Sequence, residues 1–147
     1  MSKPDGTLST VRTLPFRCEQ IYAAFADPEK LSRWWGPAGF TNSFEIFEFS
    51  VGGRWIFAMH GPDGRHYANE SHFLELVPNR KIVIEHLSAP HFILTVGLIA
   101  AQDGTRLSWD QAFDDARIAE AVSLIVGPAN EENLDRLTEL LEERRES

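Results

Sequence analysis

Between Phe44 and Phe113 the chain cannot run far before it must turn. Gly52-Gly53, Gly61-Pro62-Asp63-Gly64, Pro78-Asn79, Ala89-Pro90 and Asp103-Gly104 interrupt it at short intervals, and such residues are where backbones reverse. The segments between them are strand-length, which predicts an antiparallel meander of about six strands. Beyond Asp114-Asp115, a plausible helix cap, the period changes. Ile118, Val122 and Ile125 continue to Leu134, Leu137 and Leu141 at helical spacing, so a long helix must lay this stripe on something apolar. Gly127-Pro128 falls inside the stripe. A proline in a helix interior removes a hydrogen bond at a cost of about 3 kcal/mol, so a kink or break is expected there.

Ahead of the meander, Thr7 to Leu14 is rich in β-branched residues and stops at Pro15, as an edge strand would. Ile21, Ala24, Phe25 and Leu31, with Trp34 or Trp35, then recur at helical spacing on either side of Asp27-Pro28. That predicts two short helices in succession. Each helix has one apolar stripe and the sheet one apolar face, so they must cover one another. The order strand, two helices, strands, long helix gives an α+β class. No repeat or linker divides the 147 residues, and a single domain over 1–147 is expected.

Charge and composition narrow the function classes. Fourteen Lys and Arg stand against 22 Asp and Glu, a formal charge of -8, which repels a phosphate backbone, so no nucleic-acid partner is expected. The apolar run from Phe92 to Ala101 is only strand-sized, short of the roughly 20 residues a membrane-spanning helix needs. Cys18 has no second cysteine to pair with, and no secretory leader pattern is present, so a cytoplasmic, non-membrane protein is expected.

Candidate site residues come from alternation along strands. Trp55, Phe57 and Met59 share one face of their strand, as core or as the wall of a cavity. A two-residue Asp103-Gly104 turn would set Trp109 opposite Leu98, Gln111 opposite Val96 and Phe113 opposite Leu94, with Arg106, Ser108 and Asp110 outside. Ile118 and Val122 would face them from the last helix. Treating Gly61 to Gly64 as a four-residue loop pairs Trp55 with Glu70, and a Pro78-Asn79 turn pairs His72 with Glu85. Glu70, His72 and Glu85 would then point inward as a cluster able to do acid–base chemistry or hold a polar ligand end. A slip of one residue sends the whole set to solvent.

Five His are present without a His-x3-His pair or a Cys/His cluster, so no metal is expected. Gly52-Gly53 lacks the G-x-G-x-x-G spacing and precedes a strand, which makes it a turn or bulge and leaves nucleotide binding, or any other cofactor, without support. No residue is assigned as catalytic.

Leu14-Pro15, Ile21-Tyr22, Phe25, Asp27-Pro28-Glu29, Leu31 and Trp34-Trp35-Gly36-Pro37 form an ordered series. It continues through Val51-Gly52-Gly53-Arg54, Gly61-Pro62-Asp63-Gly64, Phe73-Leu74-Glu75-Leu76-Val77-Pro78 and Gly104-Thr105-Arg106-Leu107. In this series the chain resembles the START-like SRPBCC superfamily and, within it, the homologues of the heat-shock ATPase activator. The resemblance implies a helix-grip fold: a curved antiparallel sheet of six to seven strands over a long C-terminal helix. It also implies a cavity between sheet and helix, with Trp34, Trp35, Trp55 and Phe57 as cavity or entrance residues. Two departures stand out. Ser71 occupies a position where relatives often have glycine, and Gly127-Pro128-Ala129 falls where relatives often carry Gly-Trp, a change that would reshape the pocket.

The leading expectation is a binding protein for a small apolar or aromatic molecule. An enzyme of cyclase or hydrolase type, using cavity Glu and His residues, is one alternative. A co-chaperone-like docking domain, suggested by resemblance alone, is the other. Monomer and homodimer are both open.

Overall fold

The computed structural model describes residues 6–146. The elements follow in the order β1 (Thr7–Leu14), α1 (Cys18–Ala26), α2 (Pro28–Trp34), β2 (Thr41–Phe47), β3 (Arg54–His60), β4 (His66–Val77), β5 (Lys81–His86), β6 (Phe92–Ala101), β7 (Gly104–Phe113) and α3 (Ala116–Glu146). The strands form one antiparallel seven-stranded sheet in the order β1-β7-β6-β5-β4-β3-β2, with β1 and β2 at its edges. Together with the long terminal helix and the two short helices after β1, this is the α+β helix-grip architecture.

Asp27 separates the short helices by serving both. Its N–H donates to the Ala23 carbonyl at 3.0 Å to end α1, and its carboxylate accepts from the Glu29 N–H at 3.0 Å to start α2. Pro28, with no N–H of its own to satisfy, fits the first turn of α2. Asp115 starts α3 in the same way, accepting from the Ile118 N–H at 2.9 Å. No described helix is long and apolar enough to cross a membrane.

Contrary to the expected break at Gly127-Pro128, α3 continues through Pro128 as one helix of 31 residues. The carbonyl that Pro128 leaves unbonded belongs to Leu124, and both residues are exposed, so water can take the place of the missing N–H. Downstream the helix is held firmly. Leu134, Leu137, Leu140 and Leu141 are buried, and Arg12 of β1 forks between Glu131 and Asp135 at 2.7 Å each.

Three strand pairings differ from expectation, each for a local reason. The β6–β7 turn closes at Gln102-Asp103, with Ala101 paired to Gly104, so Trp109 lies opposite Val96, Leu107 opposite Leu98 and Gln111 opposite Leu94. That is a shift of two residues, and the inward set is unchanged because side chains alternate with period two. The β3–β4 loop is five residues, not four: His60 pairs with His66, and the Gly61 N–H donates to the Arg65 carbonyl at 2.8 Å. Gly64 makes this possible with φ of 85°, a conformation that costs glycine little. Here the shift is one residue, and it turns β4 over: Ser71, not Glu70, lies opposite Trp55.

Between β4 and β5 two departures cancel. The turn takes three residues, Val77 pairing with Lys81, and a bulge at Leu74 restores the count, so His72 does lie opposite Glu85. Because Trp55 and Phe57 are buried and pair with Ser71 and Asn69, Glu70, His72 and Glu85 belong to the outer face of the sheet.

Candidate functional site

The inner face of the sheet is filled at one end and open at the other. Toward the filled end, Phe73, Ile82, Val96 and Leu107 pack with Ile21 and Phe25 of α1, Leu31 and Trp34 of α2, and the leucines of α3 in one buried cluster. At the other end a cavity of about 260 Å³ remains between the sheet and α3. Its aromatic wall is Trp35, Phe57, Phe92, Trp109 and Phe113, with Met59, Ile84 and Leu94 completing the sheet side. The helix side is Ile125, Val126, Ala129, Asn130 and Asn133. Trp35 touches both sheet tryptophans, with ring centroids 5.1 Å from Trp55 and 5.8 Å from Trp109.

The mouth is shaped by the segment after α2, which α3 straps down. Arg136 donates to the carbonyls of Arg33, Trp35, Gly36, Pro37 and Phe40 at 2.8 to 3.2 Å. Asn133 accepts from the Gly36 N–H at 2.8 Å, and Glu132 from the Ala38 N–H at 3.0 Å. From the sheet edge, Asn42 donates to the Trp35 carbonyl at 2.8 Å. One cation thus reaches the last turn of α2 and four carbonyls of the irregular segment after it, which helps that segment pack against apolar neighbours.

Polar groups line the cavity, and none of them carries a fixed charge. Asn69, Ser71 and His86 lie on the sheet, Gln111 on β7, and Asn130 and Asn133 on α3. Asn130 donates to Gln111 at 3.0 Å. The His86 ring stacks on Phe92, 4.5 Å between centroids, and its two nitrogens face the Pro90 carbonyl at 2.9 Å and the Asn69 side-chain oxygen at 2.7 Å. Burial pushes the His86 pKa down, against the Pro90 carbonyl, which favours the protonated ring. Ser71, only 2% exposed, also lies in the lining, and the buried Trp109 indole N–H lacks a hydrogen-bond partner among the described residues.

Of the residues singled out by sequence, Trp35, Phe57, Met59, Trp109, Gln111 and Phe113 line this cavity. Trp34 and Trp55 are core instead, the former donating to the Ala24 carbonyl at 3.0 Å. Leu98 is buried toward the filled end, beside a wider and more open groove between the start of α1 and the β4–β5 and β6–β7 turns. Ile118 and Val122 pack in a small separate cluster with Leu8, Phe113 and Ala119. Pro128 faces solvent, and its neighbour Ala129 is the residue that meets the cavity.

Glu70, His72 and Glu85 are the correction: they lie outside, for the register reason given above. His72 and Glu85 do meet, at 2.6 Å, but as part of an outer-face chain in which Glu85 also bonds His91 at 2.7 Å and His91 bonds Asp114 at 2.6 Å. Pairing with His91 first, and with His72, holds the Glu85 carboxyl below its usual range, and Glu85 with Asp114 raises His91. Gln111 apart, the polar residues that do face the cavity were not singled out from the sequence. Asn130 and Asn133 interrupt a leucine stripe at i and i+3, and that interruption was the available signal.

Comparison with known proteins fits this geometry. The family described as Activator of Hsp90 ATPase homolog 1-like protein matches residues 15–142. No protein of curated function matches the sequence. Among solved structures, protein CV1439 from Chromobacterium violaceum is similar at 27% identity, with a TM-score of 0.80 over 93% of this chain and 97% of that one. Protein NE0264 from Nitrosomonas europaea, 18% identical, superposes with a TM-score of 0.85 over 94% and 95% of the two chains. Protein Ms6760 from Mycobacterium smegmatis, 20% identical, gives 0.84 over 98% and 96%.

Proposed function

The chain belongs to the Activator of Hsp90 ATPase homolog 1-like family, and from that premise we propose that it binds a small apolar or aromatic molecule between the sheet and α3. The observation that carries this reading is the unfilled space itself. Interiors normally pack to crystal-like density with few voids larger than a water molecule, whereas here about 260 Å³ is left open beneath a helix. Aromatic walls with a few placed polar groups are the usual make-up of a ligand site.

An acid–base enzyme is less well supported. Glu70, His72 and Glu85, its intended machinery, lie on the other face of the sheet, and among the described residues His86 is the one titratable side chain in the cavity lining. Both its nitrogens are occupied. Docking of a protein partner would need a contiguous apolar patch. The large exposed apolar side chains here come from β1, β4, β6, α3 and two loops, and only Leu124 and Ile125 are sequence neighbours.

Native mass spectrometry of the protein purified from its own cells tests the reading. A retained small molecule, lost on denaturation, is the expected result. Bare protein that also takes up no neutral aromatic compound would contradict it.

A further inference from the structure

We infer that the molecule held in this cavity is an uncharged one- or two-ring aromatic compound carrying a carbonyl, with a second hydrogen-bonding group beside it, on one edge. This rests on the cavity being a binding site and says what chemistry that site selects.

Charge is excluded by the lining. No Asp, Glu, Lys or Arg contributes to it, and Arg136, which bonds the lining residue Gly36, is committed to five main-chain carbonyls. A carboxylate or ammonium placed inside would be desolvated with no partner of opposite sign, which costs far more than burying a neutral polar group. The aromatic walls set the body of the ligand. The volume, just under the roughly 300 Å³ lower end of ordinary ligand pockets, limits it to a compact ring system.

The edge is specified by unspent hydrogen-bonding capacity on α3 and β7. The Gly36 N–H can only donate, so it fixes the Asn133 oxygen toward itself and leaves both N–H groups of that amide without a partner among the described residues. The two N–H groups diverge from one nitrogen, and a carbonyl oxygen is the neutral group that suits either of them. Asn130 and Gln111 bond one another. Whichever way this pair of amides is turned, one donor end and one acceptor end remain open. Asn130 and Asn133 are neighbours on one helix face, about 5–6 Å apart, so the group they would meet lies beside the carbonyl on the same edge. A hydroxyl or an amide N–H satisfies it. Ser71, on the sheet side of the lining, adds a further polar contact.

Calorimetric titration of the full chain with naphthalene, 2-acetonaphthone and 2-naphthoate, a matched set differing in one group, tests this. The neutral ketone is expected to bind about tenfold tighter than the hydrocarbon, as one or two net hydrogen bonds would give, and the carboxylate more weakly than the ketone. In Asn133→Leu, which also removes the contact to Gly36, the ratio of ketone to naphthalene affinity should fall to about one, whatever happens to the affinity for both. Gln111→Leu, which leaves the strap at Gly36 untouched, should weaken 2-naphthamide, whose N–H lies beside its carbonyl, more than 2-acetonaphthone. Equal binding of ketone and hydrocarbon, or tightest binding of the carboxylate, would overturn the inference while leaving apolar binding in place. Failure of all three compounds to bind would overturn both.

Discussion

The Asn133 side-chain oxygen accepts the Gly36 main-chain N–H at 2.8 Å, joining the middle of α3 to the rim of the cavity. One turn further on, Arg136 gathers four carbonyls of the same segment and that of Arg33 at the end of α2. The rim is therefore held by the helix that also roofs the cavity, and the two should loosen together. Arg136→Ala is expected to cost about 3 kcal/mol, since a charged donor to five carbonyls is lost and those of Trp35 and Pro37 alone keep a second donor among the described residues. Arg136→Lys should recover little of it, because an ammonium cannot span the fork. Urea denaturation of the three proteins measures both.

Ala129 faces the void from α3, so a large side chain there should occupy it. Ala129→Trp is expected to reduce binding of neutral aromatics at least tenfold while changing stability by less than about 1.5 kcal/mol, because the added volume enters empty space. Leu137→Ala, in the filled end of the core, should instead cost about 2–5 kcal/mol. Titration and denaturation of both variants separate cavity from core.

The outer chain His72–Glu85–His91–Asp114 predicts a pH signature. His91 is raised by Glu85 and then Asp114, so its contribution is complete below the unfolded value near 6.5 and is lost as pH rises through the higher folded value. Glu85 is lowered by His91 and then His72, so its contribution is present above about 4.5 and is lost as pH falls through the depressed folded value. His91→Gln should therefore differ most from the parent in denaturation experiments near pH 5.5 and least near pH 8.5. Equal differences at both would remove this account of the chain.

Ligand affinity should ignore that chain. Glu70→Gln and His72→Ala, on the outer face, are expected to change the affinity for 2-acetonaphthone less than twofold. A larger loss in either, with the fold intact, would mean that these side chains reach the ligand.

How far the sequence could be read follows from what each feature depends on. The helix division at Asp27-Pro28 and the inward placement of Trp55, Phe57 and Trp109 rest on local periodicity and capping, which single residues reveal. The β6–β7 pairing survived a misplaced turn because an even shift preserves faces. The β3–β4 pairing did not, because loop length depends on whether Gly64 adopts a positive φ and Arg65 closes the turn, and no nearby residue announces it. The Arg136 strap and the Asn133 contact join residues about a hundred positions apart, beyond the reach of any local pattern. Pro128 misled for a related reason: its cost depends on whether the freed carbonyl meets water.

Isotope-filtered nuclear Overhauser spectra of the labelled protein with saturating 2-acetonaphthone test most directly whether the space under α3 receives a ligand. Contacts from the ligand to Phe57, Trp109 and Ala129, with none to His72 or Glu70, are the predicted result. Contacts confined to the outer face, or to the groove near Ile99 and Lys81, would contradict it.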